Sequence, residues 1–341
     1  MILCASLLND KNTLKQDAWL ALIFAAVFVA PVYLIYARTL KLFPEKSLFD
    51  IIEILFGRFF GTILTSMMLL YALWVCSINL FNFSEYISLI SLENTPKFVI
   101  LFAILSVAAY LSCSGINVLG RWSVIMSISL LFNLIMTFIL AAKSMHLDYL
   151  KPFFNHSIAE ISKGAVLVGS SAFGDVVLVM SLFAAFKKGD STYKAYMYGL
   201  LAGAVFLVLL YLRNIMILGA GMIESAVYPS YTANRVIYIG TFLEHVESLT
   251  SFNLILLGIS KIAVCLSAAS ISATKIFRLK KHAITVFVLA IVPLVTGMLI
   301  AGSTDQVITI LRASRPWLIP FFTIIPLIVW IAAELYVKNK P

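Results

Sequence analysis

The stretch that decides the fold is "GSSAFGDVVL", residues 169–178, which interrupts the apolar run 164–186. Asp175 stands there among two glycines and two serines. A carboxylate at the centre of a bilayer costs about 2.5–3.5 kcal/mol on insertion scales, so it is expected to face a cavity or a partner. Irregular backbone at membrane depth is tolerated only where it is buried in protein or lines a cavity. The stretch therefore predicts a membrane span that is discontinuous near residues 169–174.

The composition identifies the chain as an integral membrane protein. Of its 341 residues, 62% are hydrophobic and only 12% are charged, against about 25% charged in ordinary soluble domains. The formal net charge of +9 is explained by basic residues that mark cytoplasmic loops. We therefore expect the lipid bilayer as a partner, no nucleic acid, and an all-α fold class.

Nine apolar runs can cross the bilayer, whose core of about 30 Å needs about 20 residues of helix. They are residues 18–40, 59–83, 98–114, 118–142, 164–186, 195–219, 248–274, 283–301 and 316–337. Fourteen of the 25 Lys and Arg residues, but only four acids, lie in 38–58, at 121, in 187–194, in 275–282 and in the C-terminal segment. This asymmetry predicts that these segments, including the C-terminus, are cytoplasmic.

Two further apolar segments are not full spans. Residues 1–8, "MILCASLL", reach only about 12 Å as a helix and are interpreted as the outer half of a truncated first helix. A truncated gene, a misassigned start and a plain surface anchor all remain open. Residues 43–61, "FPEKSLFDIIEILFGRFFG", carry apolar side chains at helical spacing and are predicted to lie flat on the inner leaflet; these are Leu48, Ile51, Ile52, Leu55 and Phe59.

No motif of an enzyme or a metal protein is present in the sequence. The four cysteines lie in or beside apolar runs without metal-binding spacing. There is no H-E-x-x-H, no P-loop and no G-x-G-x-x-G. We therefore expect no catalytic residues, no metal and no cofactor.

Several short stretches, in their order and spacing, resemble one known family. They are "QDAWL" at 16–20, "FPEKSLFDIIE" at 43–53, "FSEYI" at 83–87, "ENTP" at 93–96, "KPFF" at 151–154 and "YPSYTANRVIYIGTFLEHVESL" at 228–249. Together they resemble the spore germination permease family, the B subunits of nutrient germinant receptors. The resemblance covers essentially the whole chain.

The resemblance implies the leucine-transporter fold of the amino acid–polyamine–organocation superfamily. That fold has ten helices in two inverted five-helix repeats, and helices 1 and 6 are unwound at mid-membrane. It implies one permease-like domain over 1–341, with 1–8 as the remnant of helix 1, 9–142 as the rest of the first repeat, 143–163 as an outer loop and 164–337 as the second repeat. Run 164–186 is then helix 6, with residues 170–174 as its unwound stretch, and the glycine break of helix 1 would lie before Met1.

On this mapping the ligand lies at mid-membrane between helices 1, 3, 6 and 8. The implied ligand-binding residues are Tyr71, Val75, Ser170, Ser171, Phe173, Gly174, Ser260 and Val264. Tyr71 and Val75 lie one turn apart on one helix face, and Ser260 and Val264 flank Lys261. For each of these pairs, core packing is the alternative interpretation.

Two charged residues are candidates for ion or proton coupling. Asp175 either lines the site or carries a proton, or it caps the second half of the interrupted helix. Lys261 lies too deep in 248–274 to reach the surface easily, and either replaces an ion or moves a proton, or pairs with a helix-end carbonyl. The two residues can also satisfy each other as an ion pair.

Two other charged side chains have simpler interpretations. Glu85 is predicted to be a solvated helix end, with a subunit contact or gate as the alternative. Arg213 is predicted to extend toward the membrane surface. His245 and Asn117 stand where the family usually has Arg and an acid.

The resemblance implies the membrane subunit of a spore nutrient germinant receptor in the spore inner membrane. Such a subunit would bind a small germinant, with an amino acid as the expected ligand, and signal to A-type and C-type partner subunits. A proton-coupled amino acid transporter is the first alternative. A ligand-blind structural subunit, because helix 1 is truncated, is the second.

Overall fold

The computed structural model describes residues 14–152, 154–185, 191–236, 246–279, 282–300 and 317–339. Within these ranges the regular structure is helical and no strand occurs. The α-helices are α1 (Ala18–Leu42), α2 (Leu48–Ile90), α3 (Lys97–Cys113), α4 (Ile116–Ala141), α5 (Ile158–Val168), α6 (Thr192–Ser225), α7 (Pro229–Val236), α8 (Val246–Phe277), α9 (His282–Ile300) and α10 (Ile324–Lys338). Residues 317–322 are also helical and precede α10.

The membrane-length helices follow the predicted order. Among the described residues, eight helical segments are long and apolar enough to cross a membrane, and α3 is a shorter apolar helix of 17 residues. These nine correspond one to one with the nine predicted runs, which confirms an all-α integral membrane protein. The predicted half-helix at residues 1–8 lies outside the described residues.

The fifth span begins earlier than the apolar run predicts. Helix α5 starts at Ile158, not at 164, because Ser157 and Glu160 form a capping box. The Ser157 N–H donates to the Glu160 carboxylate at 2.8 Å, and the Glu160 N–H donates to the Ser157 hydroxyl at 3.3 Å. These bonds satisfy N–H groups that a helix start leaves unpaired, so polar residues extend the helix into the predicted loop.

The chain divides into two compact units. The first comprises Met1–Pro31, Val124–Gly174 and Met197–Leu256; the second comprises Val32–Ser123, Asp175–Tyr196 and Leu257–Pro341. Each unit takes segments from both predicted repeats. The assignment of one permease-like domain with boundaries at 142 and 164 stays a prediction.

Helix α2 consists of a short amphipathic part and a membrane-crossing part. They meet at Gly57, whose φ of 67° and ψ of −174° interrupt the helical geometry, and a positive φ of this kind favours glycine. The face containing Leu48, Ile51 and Ile52 is buried within the protein, whereas Phe59, predicted to belong to it, is 73% exposed. The amphipathic face therefore packs on neighbouring helices, and the break turns the aromatic end outward.

In the first unit, Asp17 fixes the loop that precedes α5. Its fully buried carboxylate accepts the backbone N–H groups of Phe154 (2.9 Å), Asn155 (2.7 Å) and His156 (3.1 Å). The His156 Nδ1 lies 3.0 Å from the same carboxylate. Two stretches of the family resemblance, "QDAWL" and "KPFF", thus meet in space. The sequence does not reveal this contact because 137 residues separate Asp17 from Phe154.

The structure corrects the prediction that Arg213, on α6, extends toward the membrane surface. It is 0% exposed, so it does not extend toward the membrane surface. Its guanidinium donates to Asn214 Oδ1 at 2.7 and 3.2 Å and to Thr137 Oγ1 at 2.5 Å. Asn214 in turn donates to the Ser230 hydroxyl on α7 at 2.9 Å. The guanidinium is thus satisfied inside the protein by α4 and by Asn214, which α7 holds in turn.

The prediction for Glu85, which lies in the second unit, is also corrected. Its side chain is only 8% exposed and forms an ion pair with Lys97 Nζ at 2.8 Å, so it is not a solvated helix end. The Lys97 ammonium also lies 5.8 Å from the centroid of the Phe81 ring. The Glu85–Lys97 ion pair joins the end of α2 to the start of α3 across the turn that contains "ENTP".

Candidate functional site

The fifth span is interrupted at the end of α5, where the sequence predicts a break. The form of this interruption differs from the prediction. The α-helix ends at Val168, Gly169–Phe173 form a π-helical turn, and Gly174–Ala185 form a 3-10 helix. The Gly174 N–H donates to the Gly169 carbonyl, which closes the wide turn. The stretch is therefore not unwound. Its hydrogen-bond spacing changes twice within a few residues instead.

The two serines of this turn bond to carbonyls of the preceding helix. The Ser170 hydroxyl donates to the Leu167 carbonyl at 2.8 Å, and the Ser171 hydroxyl lies 3.1 Å from the Leu167 and Val168 carbonyls. These carbonyls lie where the α-helical spacing ends, and side-chain hydrogen bonds of this kind often bend a helix. π-turns within helices are frequently found at functional sites.

Asp175 lies in the first turn of the 3-10 helix and forms an ion pair with Lys261. The Asp175 Oδ2 and Lys261 Nζ are 2.6 Å apart, and Tyr71 donates its hydroxyl to Asp175 Oδ1 at 3.1 Å. All three residues belong to the second unit. Among the contacts of the described residues, the Asp175 carboxylate is bound by these two side chains and accepts no backbone N–H. The predicted pairing of the two charges is what the geometry shows.

Lys261 is at the centre of α8. It is sixteen residues before Phe277, or roughly 24 Å along a helix axis, too far for its side chain to reach the helix end. The side chains of Lys261 and Asp175 are 34% and 22% exposed. The pair is thus partly shielded within the protein and partly accessible.

Tyr71 and Val75 have different surroundings although they lie on one face of α2. The Tyr71 ring stacks on Phe321 with centroids 5.1 Å apart and an angle of 9° between the ring planes. The phenol is 2% exposed, and its hydroxyl is committed to Asp175. Val75 is buried, and the Asn79 amide donates to its carbonyl at 2.6 Å. Tyr71 therefore belongs to the charged cluster, and Val75 to the packing beside it.

The neighbours of Lys261 on α8 are also fixed by packing. The Trp122 indole N–H donates to the Ser260 hydroxyl at 2.8 Å. Val264 is partly buried. Trp122 and Phe321 are the residues that sequence reasoning missed, because each lies far along the chain from its partner and belongs to no motif.

The remaining predicted ligand residues lie in the first unit. Ser170 and Ser171 bind carbonyls of their own helix, and Phe173 is 5% exposed. The Phe173 ring is 4.0 Å from the position that a Cβ would take at Gly203 of α6. The hypothesis that these residues and the Asp175 cluster line one pocket stays a prediction.

The cluster offers a specific chemistry. It presents one carboxylate, one ammonium and one phenol hydroxyl within hydrogen-bond distance, inside segments of membrane length. Such a set can bind a molecule that carries both charges, or exchange a proton. In the part of the chain that the structure describes, no group of three His, Cys, Asp or Glu residues could hold a metal ion.

Comparison with known proteins gives consistent matches. The model of the family described as "Spore germination protein" matches residues 2–305. The chain is 24% identical to spore germination protein A2 of Bacillus subtilis over 246 residues, which cover 71% of this chain and 66% of that protein. It is 21% identical to spore germination protein YndE of the same organism over 275 residues, covering 79% of this chain and 74% of that protein. A putative spore germination protein, YfkT, is 24% identical over 232 residues, 67% of this chain and 63% of that protein. The chain thus spans about two thirds of the length of these relatives.

Proposed function

Because the chain belongs to the spore germination protein family, we propose that it is the membrane subunit of a spore nutrient germinant receptor. In this role it binds a small germinant, most simply an amino acid, and passes the signal to A-type and C-type partner subunits. Its location is the spore inner membrane, with the C-terminus in the cytoplasm. The proposal involves no covalent chemistry and no cofactor.

The observation that carries the proposal is the cluster of Asp175, Lys261 and Tyr71. A free amino acid has one ammonium and one carboxylate, the same two charges that the ion pair presents. Its ammonium can take the place of Lys261 beside Asp175, while its carboxylate pairs with Lys261. The exchange leaves no buried charge unpaired. An unpaired charge in a low-dielectric site is strongly destabilising.

Ligand exchange of this kind also supplies a signal. The Asp175–Lys261 contact joins the 3-10 segment to α8, and a bound zwitterion has to separate these two side chains. A ligand shifts a conformational equilibrium only by its differential affinity for the two states. Insertion between the charges provides such a difference, because the ligand binds only the state in which the pair is open.

Thermal-shift titration of the purified full-length chain with a panel of amino acids tests the proposal. We expect a saturable rise in melting temperature for at least one amino acid, and none for the same compound in Asp175→Asn or Lys261→Met. Glu334→Gln is the matched control, since it breaks the Arg38–Glu334 ion pair of the same unit and should keep the response. Equal responses in all variants would refute a role for the cluster.

Active transport is the second candidate, because a carboxylate, an ammonium and a phenol in contact can also move a proton. Uptake of labelled amino acid into proteoliposomes under a proton gradient separates it from sensing. Gradient-driven accumulation that Asp175→Asn abolishes would favour the transporter. No thermal shift with any amino acid, but co-purification with A-type and C-type subunits, would favour the ligand-blind structural subunit.

A further inference from the structure

We propose that the second unit binds the phosphate group of an anionic phospholipid between the break in α2 and the end of α8. The site is a small open niche at the end of the membrane-crossing part of α2. Its polar lining consists of Glu53, Arg58, Thr62, Thr65, Lys275 and Arg278. This inference is independent of the proposed germinant site, which lies at the centre of α8.

The distribution of charge in the niche leaves two arginines for a ligand. Lys275 is held by Asp50 and by Glu53, whose carboxylate is 3.1 Å away. These contacts use both acids of the surroundings. Within the described ranges neither Arg58 nor Arg278 has an ion-pair partner, and both side chains are exposed. Guanidinium groups bind phosphate oxygens through paired hydrogen bonds, whereas Lys275 is already engaged by two carboxylates.

The backbone holds the two arginines at the rim. The break at Gly57 places Arg58 at the start of the membrane-crossing part, and Arg278, with a φ of 52°, turns the chain at the end of α8. At Gly61 a Cβ would lie 3.2 Å from the Glu53 Cα, so a larger residue there would push the amphipathic part away by a few tenths of an ångström. This close approach keeps Glu53 in the lining of the niche, where it contacts Lys275.

The side chains next to Arg58 favour a lipid over a free phosphate ion. Phe59, Phe60 and Ile63 are 73%, 63% and 45% exposed, although they are large and apolar. In a bilayer they lie against acyl chains, and a lipid whose chains cover them has its phosphate at the level of Arg58. Basic pockets between membrane helices are a known mode of head-group binding.

The test measures lipid binding to the purified full-length chain in neutral detergent micelles. Labelled phosphatidylglycerol is titrated against the chain, with unlabelled phosphatidylcholine and inorganic phosphate as competitors. We expect saturable binding of phosphatidylglycerol, with little competition from either compound. Arg58→Gln and Arg278→Gln should each weaken binding about fivefold, and the double variant about 25-fold. Arg121→Gln, a change at another exposed arginine of the same unit, should leave it unchanged.

Three results would overturn the proposal. Competition by phosphatidylcholine as strong as by phosphatidylglycerol would mean that the head-group charge is not recognised. Competition by inorganic phosphate at similar concentration would show a free-anion site instead of a lipid site. An equal loss in Arg121→Gln would reduce the effect to general surface charge. The competition experiments use the wild-type chain, so they decide the matter even if the double variant fails to fold.

Discussion

Lys261→Met is expected to destabilise the protein, and Asp175→Asn should partly reverse the loss. The first change removes the ammonium that lies 2.6 Å from the Asp175 carboxylate. Among the contacts of the described residues, it leaves the Asp175 carboxylate with the Tyr71 hydroxyl as its remaining partner. The second change removes that charge, so the double variant should be more stable than either single variant.

The expected magnitude follows from the exposure of the two side chains. Breaking a fully dry ion pair costs about 3–5 kcal/mol, and an exposed pair contributes about 0.2–1 kcal/mol. With 34% and 22% of the Lys261 and Asp175 side chains exposed, we expect about 2–3 kcal/mol for each single change. The coupling free energy between the two changes should then be at least about 1 kcal/mol.

A double-mutant cycle in mixed micelles measures this coupling. Each variant is unfolded by increasing the fraction of denaturing detergent, and tryptophan fluorescence reports the free energy of unfolding. The Arg38–Glu334 pair, whose side chains are more exposed at 40% and 36%, should show a weaker coupling in the same cycle. Single changes that add within about 0.5 kcal/mol would refute the conclusion that Asp175 and Lys261 stabilise each other.

Four further predictions concern other contacts. Tyr71→Phe should lose about 1–2 kcal/mol of stability because it removes a hydrogen bond to a carboxylate, whereas Tyr110→Phe, at a 73% exposed ring, should show no change in the same unfolding assay. Asp17→Asn should lose about 2–4 kcal/mol, since an amide NH₂ must then face backbone donors, and limited proteolysis should cut faster in 151–157. Arg213→Met should cost less than about 2 kcal/mol, because lost hydrogen bonds are offset by removal of a buried charge; a loss above about 3 kcal/mol would indicate a counter-anion. A cysteine at Leu279 should react with an impermeant reagent only from the cytoplasmic side, and labelling from outside would reverse the predicted orientation.

Local features of the sequence were sufficient for the class of fold and the order of the spans. The free energy of transferring some 20 consecutive apolar residues into a bilayer depends on composition, so each run could be found without knowing its neighbours. The helix starts were less predictable. At Ser157 and Glu160 a polar capping box extends α5 beyond the apolar run, and hydropathy does not register hydrogen bonds.

The candidate site was predictable in its members but not in its arrangement. Glycine, serine and aspartate in one apolar run correctly indicated that the α-helical geometry ends near Val168. They suggested, however, that the backbone there is unwound. In the structure the turn is π-helical instead, and Ser170 and Ser171 donate to a carbonyl of the preceding helix. Tyr71 was predicted from its face of α2, whereas the stacking partner Phe321 was not, because no local pattern relates two residues so far apart in the chain.

The sequence by itself determined that Asp175 and Lys261 each need a polar partner, since a lone charge in an apolar span is unfavourable wherever the helix packs. Only the tertiary structure decided that each is the other's partner. The same limit explains the wrong predictions for Glu85 and Arg213. A position along a helix gives the depth of a side chain, but its surroundings depend on which helix lies beside it, and that is set by packing over the whole chain.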